Sequence, residues 1–144
     1  MIERDDSVIV TVFVRFVAPL ANLFALYVLL HGHYSPGGGF QAGVILGATR
    51  ILQALALGRE ALGAPWHGPR LLAVAAAGAL LYLLTGVAGF RDGGAFLDYG
   101  VLPLPATPVK ARYIGILLIE TGVTAAVAAT LIAIFDRLAV RERR

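Results

Sequence analysis

The chain has 144 residues, of which 58% are hydrophobic and only 15% are charged, and its formal net charge is +3. A soluble domain usually carries about a quarter charged residues, so this composition argues against a soluble protein and predicts one that lies in the lipid bilayer. No cysteine is present, which excludes disulfides and thiolate-bound metals. The small positive charge gives no reason to expect a nucleic-acid partner.

Four apolar stretches each have about the 20 residues that an α-helix needs to cross the hydrocarbon core. They cover residues 8–30, 38–57, 71–90 and 113–135. We therefore predict an all-α fold, a single membrane domain over residues 1–144 with four transmembrane helices. Serine is a preferred N-cap residue, so we expect Ser7 to cap the first helix. No small-residue cleavage site follows that helix, so we expect it to be retained.

Basic residues are unequally distributed between the two sides of the membrane. With four spans, both termini share one side, and the positive-inside rule places that side in the cytoplasm. The connections after the first and third spans then face outward. The terminal side carries Arg4, Arg59, Arg70, Arg137, Arg141, Arg143 and Arg144, with Arg15 just inside the first helix, and the other side carries Arg91, Lys110 and Arg112.

Three residues of the first span share one helical stripe, because Arg15, Pro19 and Asn22 are four and three residues apart. Pro19 cannot donate to the carbonyl of Arg15, so a kink is expected there. An asparagine is costly against lipid, so we expect this stripe to face protein. Two interpretations stay open, an ordinary packed helix and a polar path for ions.

The connection between the first two spans carries His31 and His33, then Pro36 and three consecutive glycines at 37–39. The unperturbed pKa of histidine is about 6.5, so the two imidazoles could relay protons at the outer surface. No third ligand with suitable spacing stands nearby, so we predict no metal site. The second helix begins beside this turn, and its positive dipole end favours an anion or a carboxylate.

Glycines recur every four residues in the second span, at Gly39, Gly43 and Gly47. Such a ridge lets neighbouring backbones approach closely, and we expect it to do so against a partner. Arg50 lies seven residues after Gly43 and so belongs to the same face. The third span, rich in alanine and glycine, predicts close packing. In the loop 91–110, the apolar residues Phe96, Tyr99, Val101 and Leu102 are expected to dock on the protein surface or on a partner.

Glu120 is an acid well inside the fourth span, eight residues after Arg112, which is about 12 Å at the helical rise. An acid within the membrane is by default a functional hypothesis. Glu120, with Thr121 and Thr124 beside it, is expected to carry a proton or help coordinate a cation. Arg50 could keep Glu120 ionised, form a structural ion pair with it, or hold a positive charge that moving ions must pass, and the sequence leaves open whether the two residues pair.

Two segments resemble a known family, the MnhB subunits of Mrp (Mnh)-type sodium/proton antiporters. Residues 32–43 resemble its Gly-His-x-x-Pro-Gly-Gly-Gly-Phe-x-x-Gly signature, and residues 115–123 resemble its last-helix segment. The resemblance extends over nearly the whole chain. The matching positions are His33, Pro36, Gly37, Gly38, Gly39, Phe40, Gly43 and Glu120.

The resemblance implies a small subunit of a multisubunit complex, related to respiratory complex I, in a prokaryotic inner or plasma membrane. Such a complex exchanges cytoplasmic sodium for external protons, so the implied partners are other membrane subunits and no cofactor is expected. The candidate ion-path residues are Glu120, Arg50, Thr121, Thr124, His31, His33, Asn22 and Arg15. The packing residues are Pro36, Gly37, Gly38, Gly39, Phe40, Gly43 and Gly47.

Three alternatives stay open. The same module occurs in membrane-bound hydrogenases and other redox-coupled complexes. A stand-alone four-helix drug/proton exporter also uses one membrane glutamate, although Glu120 is flanked by Ile119 and Thr121 rather than by aromatic residues. A purely structural scaffold would depend on the glycines and tolerate changes at Glu120 and Arg50.

Overall fold

The computed structural model describes residues 7–32, 37–58 and 68–141, without the side chains of residues 140 and 141. Within these ranges it contains α-helices and short 3-10 turns and no strand. Four helices are long and apolar enough to cross a membrane, which confirms the predicted all-α, four-span fold. They are α1 (Val8–His31), α2 (Gly39–Leu57), α3 (Pro69–Ala88) and α4 (Pro108–Arg141).

The helix ends agree with the prediction for α1 and differ most for α4. The Ser7 side chain accepts a hydrogen bond from the N–H of Val10 at 3.5 Å, as an N-cap does, and α1 continues through Pro19 without interruption. Helix α3 begins and ends two residues earlier than predicted. Helix α4 has 34 residues, about 51 Å at the helical rise, because it begins at Pro108 and continues through polar residues that an apolar count leaves out.

Helix α4 is the centre of the bundle. It packs against both α2 and α3, whereas α1 packs mainly against α2. Helices α2 and α4 run in the same direction, because Gly39 lies beside Glu120 and Gly47 beside Leu131. Helix α3 runs the opposite way, because Gly78 lies beside Ala126 whereas the earlier residue Leu71 packs with Ile132.

The glycine ridge of α2 allows close packing, as predicted, but against this chain's own α4 rather than a partner. A Cβ atom on Gly43 would lie 2.8 Å from the carbonyl oxygen of Thr124 and 2.8 Å from the Cβ of Val127. One on Gly47 would lie 3.1 Å from Leu131. Contacts this short leave no room for a side chain, so the ridge fixes the distance between α2 and α4.

The connection between α3 and α4 folds back onto the helices. It contains two 3-10 turns, Arg91–Gly93 and Tyr99–Val101. The ring of Phe96 occupies the space where a side chain on Gly86 would stand. Tyr99 and Leu102 cover Gly115 of α4 in the same way. The apolar residues of this loop therefore dock on the chain itself.

Candidate functional site

The two ends of the α1–α2 connection meet. A Cβ atom on Gly32 would lie 2.9 Å from the Cα of Gly38. His31 is exposed; its ring stacks on Tyr27 at a centroid distance of 4.2 Å, and its Nδ1 lies 3.0 Å from the Tyr27 carbonyl oxygen. The predicted site residues His33 and Pro36 lie outside the described residues.

Glu120 of α4 caps the N-terminus of α2. Its Oε2 accepts a hydrogen bond from the backbone N–H of Gly39, the first residue of that helix. Gly38, at the N-cap position, supplies no side-chain cap. A helix begins with unpaired N–H groups and a partial positive charge, so a carboxylate there is favourable. The side chain of one transmembrane helix thus supplies the missing cap of another.

Glycine at positions 38 and 39 gives the Glu120 carboxylate room to reach this helix end. A Cβ atom on Gly38 would lie 2.7 Å and 2.8 Å from the two carboxylate oxygens. On Gly39 it would collide with the backbone carbonyl oxygen of Glu120. Of the three consecutive glycines, Gly38 and Gly39 therefore cannot carry a side chain without displacing Glu120.

Thr124, one turn further along α4, holds the other backbone group of the same residue, Gly39. Its buried hydroxyl lies 3.0 Å from the carbonyl oxygen of Gly39 and 2.8 Å from that of Glu120, and its single proton is shared between them as a bifurcated hydrogen bond. Gly39 is thus bound through its N–H by Glu120 and through its C=O by Thr124. Thr121, by contrast, is exposed and donates to the carbonyl oxygen of Leu117 in its own helix, at 2.7 Å.

Tyr99 in the α3–α4 loop belongs to the surroundings of this site, and the sequence did not single it out for that role. Burial raises the pKa of Tyr99, and the nearby Tyr82 and the negative charge of Glu120 raise it further. The loop thereby brings a phenol within electrostatic reach of the carboxylate. Nothing in the spacing of the loop residues indicated this contact.

Arg50 does not pair with Glu120. Within the described residues, Glu120 forms no ion pair, and the Nη1 of Arg50 donates to the Oε1 of Gln53 at 3.1 Å. Eleven residues separate Arg50 from Gly39, which is about 16 Å along α2. Because Glu120 lies at the very start of that helix, the two side chains are too far apart for the ion pair that the sequence left open.

Four of the predicted polar residues instead line one cleft between the helices, which we call the Arg50 cleft. Asn22, Arg50, Thr121 and Thr124 contribute its polar groups, and its volume is about 440 Å³. Arg15 is exposed and lies outside it. The other lining residues are apolar: Leu46, Val74, Ala125, Ala128, Ala129 and Ile132.

Residues 9–133 match the family model of a domain related to the MnhB subunit of Na⁺/H⁺ antiporters. The chain belongs to the MnhB family. A Na⁺/H⁺ antiporter subunit of Bacillus subtilis is 31% identical over 137 residues, covering 90% of this chain and 95% of that one. The resemblance drawn from residues 32–43 and 115–123 is confirmed.

Two further relatives share only part of their length with this chain. An uncharacterised protein of Methanocaldococcus jannaschii is 34% identical over 138 residues, covering 83% of this chain and 52% of that protein, so the chain spans about half of it. A solved chain from the membrane-bound sulfane sulfur reductase, an archaeal respiratory membrane complex, matches with a TM-score of 0.52 and 25% identity. That match covers 86% of this chain and 60% of the other.

Proposed function

We propose that this chain is a small membrane subunit of a Mrp-type cation/proton antiporter complex, and that Glu120 at the N-terminus of α2 forms part of its ion path. Membership of the MnhB family and the four apolar helices support the first statement. The contact between the Glu120 carboxylate and the N–H of Gly39 carries the second.

The contact lets a carboxylate remain in the membrane without a cationic side chain. Hydrogen bonds to an ionised carboxylate are stronger than those between neutral groups, and the helix dipole adds to the attraction. A proton or a sodium ion that binds Glu120 neutralises the charge that holds the two helices. The binding of a proton or a sodium ion to Glu120 therefore weakens the contact between α2 and α4.

An ion can reach Glu120 from the surface of the chain. The carboxylate lines an open groove of about 540 Å³ whose other walls are residues 37–41, Ile119 and Val123. From the distribution of arginines we propose that both termini are cytoplasmic, in a prokaryotic plasma membrane. The groove then opens toward the outer side, where an antiporter driven by the proton gradient takes up protons.

The test is sodium/proton exchange in membrane vesicles that carry the whole complex with Glu120→Gln. Glutamine can still accept a hydrogen bond from the N–H of Gly39, but it neither takes up nor releases a proton, so we expect most of the exchange to be lost. Asp92→Asn removes an exposed carboxylate of the α3–α4 loop and is the matched control, with normal exchange expected. Normal exchange in Glu120→Gln would contradict a role for Glu120 while leaving the family assignment intact.

A second candidate function is favoured by one observation. The solved chain of similar fold comes from a respiratory complex that is a sulfane sulfur reductase. This match favours the alternative that the chain is a subunit of a redox-coupled complex. Purification of the complex from native membranes separates the two candidates. Metal-cluster subunits that co-elute with this chain would favour the redox-coupled complex, and their absence from an intact complex would favour the antiporter.

A further inference from the structure

Exposed arginines mark the membrane boundaries on the α3–α4 side of the bundle. Residues 71–90, between Arg70 and Arg91, contain no charged residue, and as a helix they are about 30 Å long, which is the thickness of the hydrocarbon core. Both arginines are exposed. On α4, Arg112 is the last charged residue before Glu120. The outer boundary therefore lies near Arg91 and Arg112.

The end of α1 and the beginning of α2, which together we call the α1–α2 junction, lie below that boundary. Glu120 follows Arg112 by eight residues, which is about 12 Å along α4, and its carboxylate binds the N–H of Gly39. Gly38 is in close contact with Gly32 at the end of α1. The junction is therefore about two helical turns deeper than the outer end of α4.

The charges at the other side of the membrane agree with this depth. Arg50 lies about 16 Å further along α2, so it is about 28 Å below the outer boundary, near the cytoplasmic edge of the core. If the junction lay at the outer surface, Arg50 would instead lie in the middle of the core. The exposed Arg70 would also lie inside it, because its neighbour Leu71 packs with Ile132, about 18 Å below Glu120. Charged side chains at such depths are costly.

The groove that Glu120 lines, which we call the Glu120 groove, has polar walls at a depth where lipid cannot solvate them. The carboxylate and the exposed side chain of Gln41 line its volume of about 540 Å³, and the backbone of Gly38 is not helical. At this depth, non-helical backbone is tolerated only where it is buried in protein or lines a water-filled cavity. The groove is open and an ion has to reach Glu120, so water fits both requirements.

One face of α4 connects the Glu120 groove with the outer boundary. Ile116, Arg112 and Val109 precede Glu120 by four, eight and eleven residues, so the four residues share one stripe of the helix. Arg112 and Val109 are exposed. This stripe forms a wall that leads from the membrane surface down to the carboxylate.

We propose that the Glu120 groove is the inner end of a water-filled entrance, which reaches about 12 Å into the membrane from the outer side. The α1–α2 junction is its floor and the stripe of α4 is one of its walls. Hydrated protons and small cations enter it, and lipid does not. The inference rests on the proposed function, because it supplies the route by which external ions reach Glu120.

The experiment measures the reactivity of single cysteines in the intact complex. The natural chain has no cysteine, and a membrane-impermeant quaternary-ammonium methanethiosulfonate is added from the outer side. Only the thiolate reacts, and it forms in water rather than in an apolar environment. Gln41→Cys is the test position. Leu80→Cys is the control at matched depth, because Leu80 is 55% exposed and lies about 16 Å below Arg91 along α3.

Asp92→Cys, at an exposed position of the α3–α4 loop, gives the rate for full exposure. We expect Gln41→Cys to react within about tenfold of that rate and Leu80→Cys to be about a hundredfold slower, because burial among apolar groups suppresses the thiolate. Ile119→Cys, on the α4 side of the groove, gives a second reading if Gln41→Cys does not fold.

Slow reaction at both groove positions of an assembled complex would show that lipid or protein fills the groove, and it would overturn the inference. Fast reaction of Leu80→Cys as well would place this level of the bundle at the membrane surface and would also overturn it. An unreactive Asp92→Cys would contradict the outward orientation of the entrance together with that of the chain.

Sodium/proton exchange is measured in parallel with Glu120→Gln, so that the two proposals fail separately. If the groove cysteines react slowly while Glu120→Gln loses exchange, this inference alone is contradicted. If they react fast while Glu120→Gln exchanges normally, the entrance exists and the proposed role of Glu120 is contradicted.

Discussion

Helix α4 packs closely against both α2 and α3 at glycine residues, but only the contact with α2 adds polar groups. On the α3 side, a Cβ atom on Gly122 would lie 2.7 Å from the carbonyl oxygen of Gly78, and one on Gly78 would lie 2.8 Å from the N of Ala126. On the α2 side, two polar groups of α4 also bind the backbone of Gly39, namely the Glu120 carboxylate and the Thr124 hydroxyl.

The difference separates packing from function. Glycine alone brings two backbones together, as the α3 side shows, and needs no charge. The α2 side adds a contact of the Glu120 carboxylate that fixes the register of Gly39 against α4, and we propose that this contact responds to an ion. We therefore expect glycine changes on either side to affect stability and the loss of Glu120 to affect ion exchange.

The largest expected effect is that of Gly43→Leu. The new side chain has no space beside Thr124 and Val127, so α2 cannot pack on α4 and the folded chain should be nearly lost from membranes. Ala48→Leu adds the same bulk at an exposed position of α2 and should leave folding unchanged. Size-exclusion chromatography of the tagged chain in detergent gives the amount of folded protein. Equal amounts for both variants would contradict the close α2–α4 contact.

Gly78→Ala should destabilise the chain and leave ion exchange per assembled complex unchanged. The added methyl group meets backbone atoms of α4 that cannot move aside, and overpacking of this kind typically costs about 1–3 kcal/mol. Thermal unfolding measures the loss, with Ala77→Val at the exposed neighbouring position as control. A stable variant with impaired exchange would show that the α3 side also takes part in function.

Thr124→Val should have a smaller effect. The variant keeps the shape but leaves the carbonyl oxygen of Gly39 without its donor, and a hydrogen bond of this kind is worth about 0.5–1.5 kcal/mol. Thr124→Ser restores the hydroxyl and should recover most of the stability. Equal free energies of unfolding for Thr124→Val and Thr124→Ser would contradict the hydrogen bond from the Thr124 hydroxyl to Gly39.

The smallest expected effect is on the titration of Tyr99. The negative charge of Glu120 disfavours the tyrosinate, so Glu120→Gln should lower the pKa of Tyr99, while burial and Tyr82 keep it above its usual value. Tyrosinate absorbance during a pH titration measures the change, with Tyr99→Phe used to assign the signal. Asp92→Asn should leave the titration unchanged. An unaltered pKa in Glu120→Gln would place Tyr99 beyond the reach of that charge.

The sequence was sufficient to predict the helices because their apolar lengths are set by the membrane. It also contained both halves of the site, a helix end that favours a carboxylate and Glu120 within the fourth span. What joins them is the parallel packing of α2 and α4, which brings together residues 81 positions apart. Spacing along the chain holds no information on that register.

The same lack of information explains why the sequence could not decide whether Arg50 and Glu120 pair. A buried acid and a buried base in neighbouring spans suggest a pair, but their depths decide whether they meet. Glu120 lies at the first residue of α2, and Arg50 lies three turns deeper, in a cleft with Asn22. The position of Tyr99 near Glu120 was missed for a related reason. The sequence predicted that the loop docks on the protein surface or on a partner, but no local pattern indicates that it folds onto α4 at Gly115.

The central claim is that the α2 side of α4 carries function and the α3 side carries packing. The most direct measurement is sodium/proton exchange per assembled complex, with Glu120→Gln and Gly78→Ala compared in vesicles prepared in the same way. We predict that Glu120→Gln assembles and loses most of its exchange, whereas the complexes that Gly78→Ala still forms exchange ions normally. Normal exchange in Glu120→Gln, or an equal loss in both variants, would contradict this account.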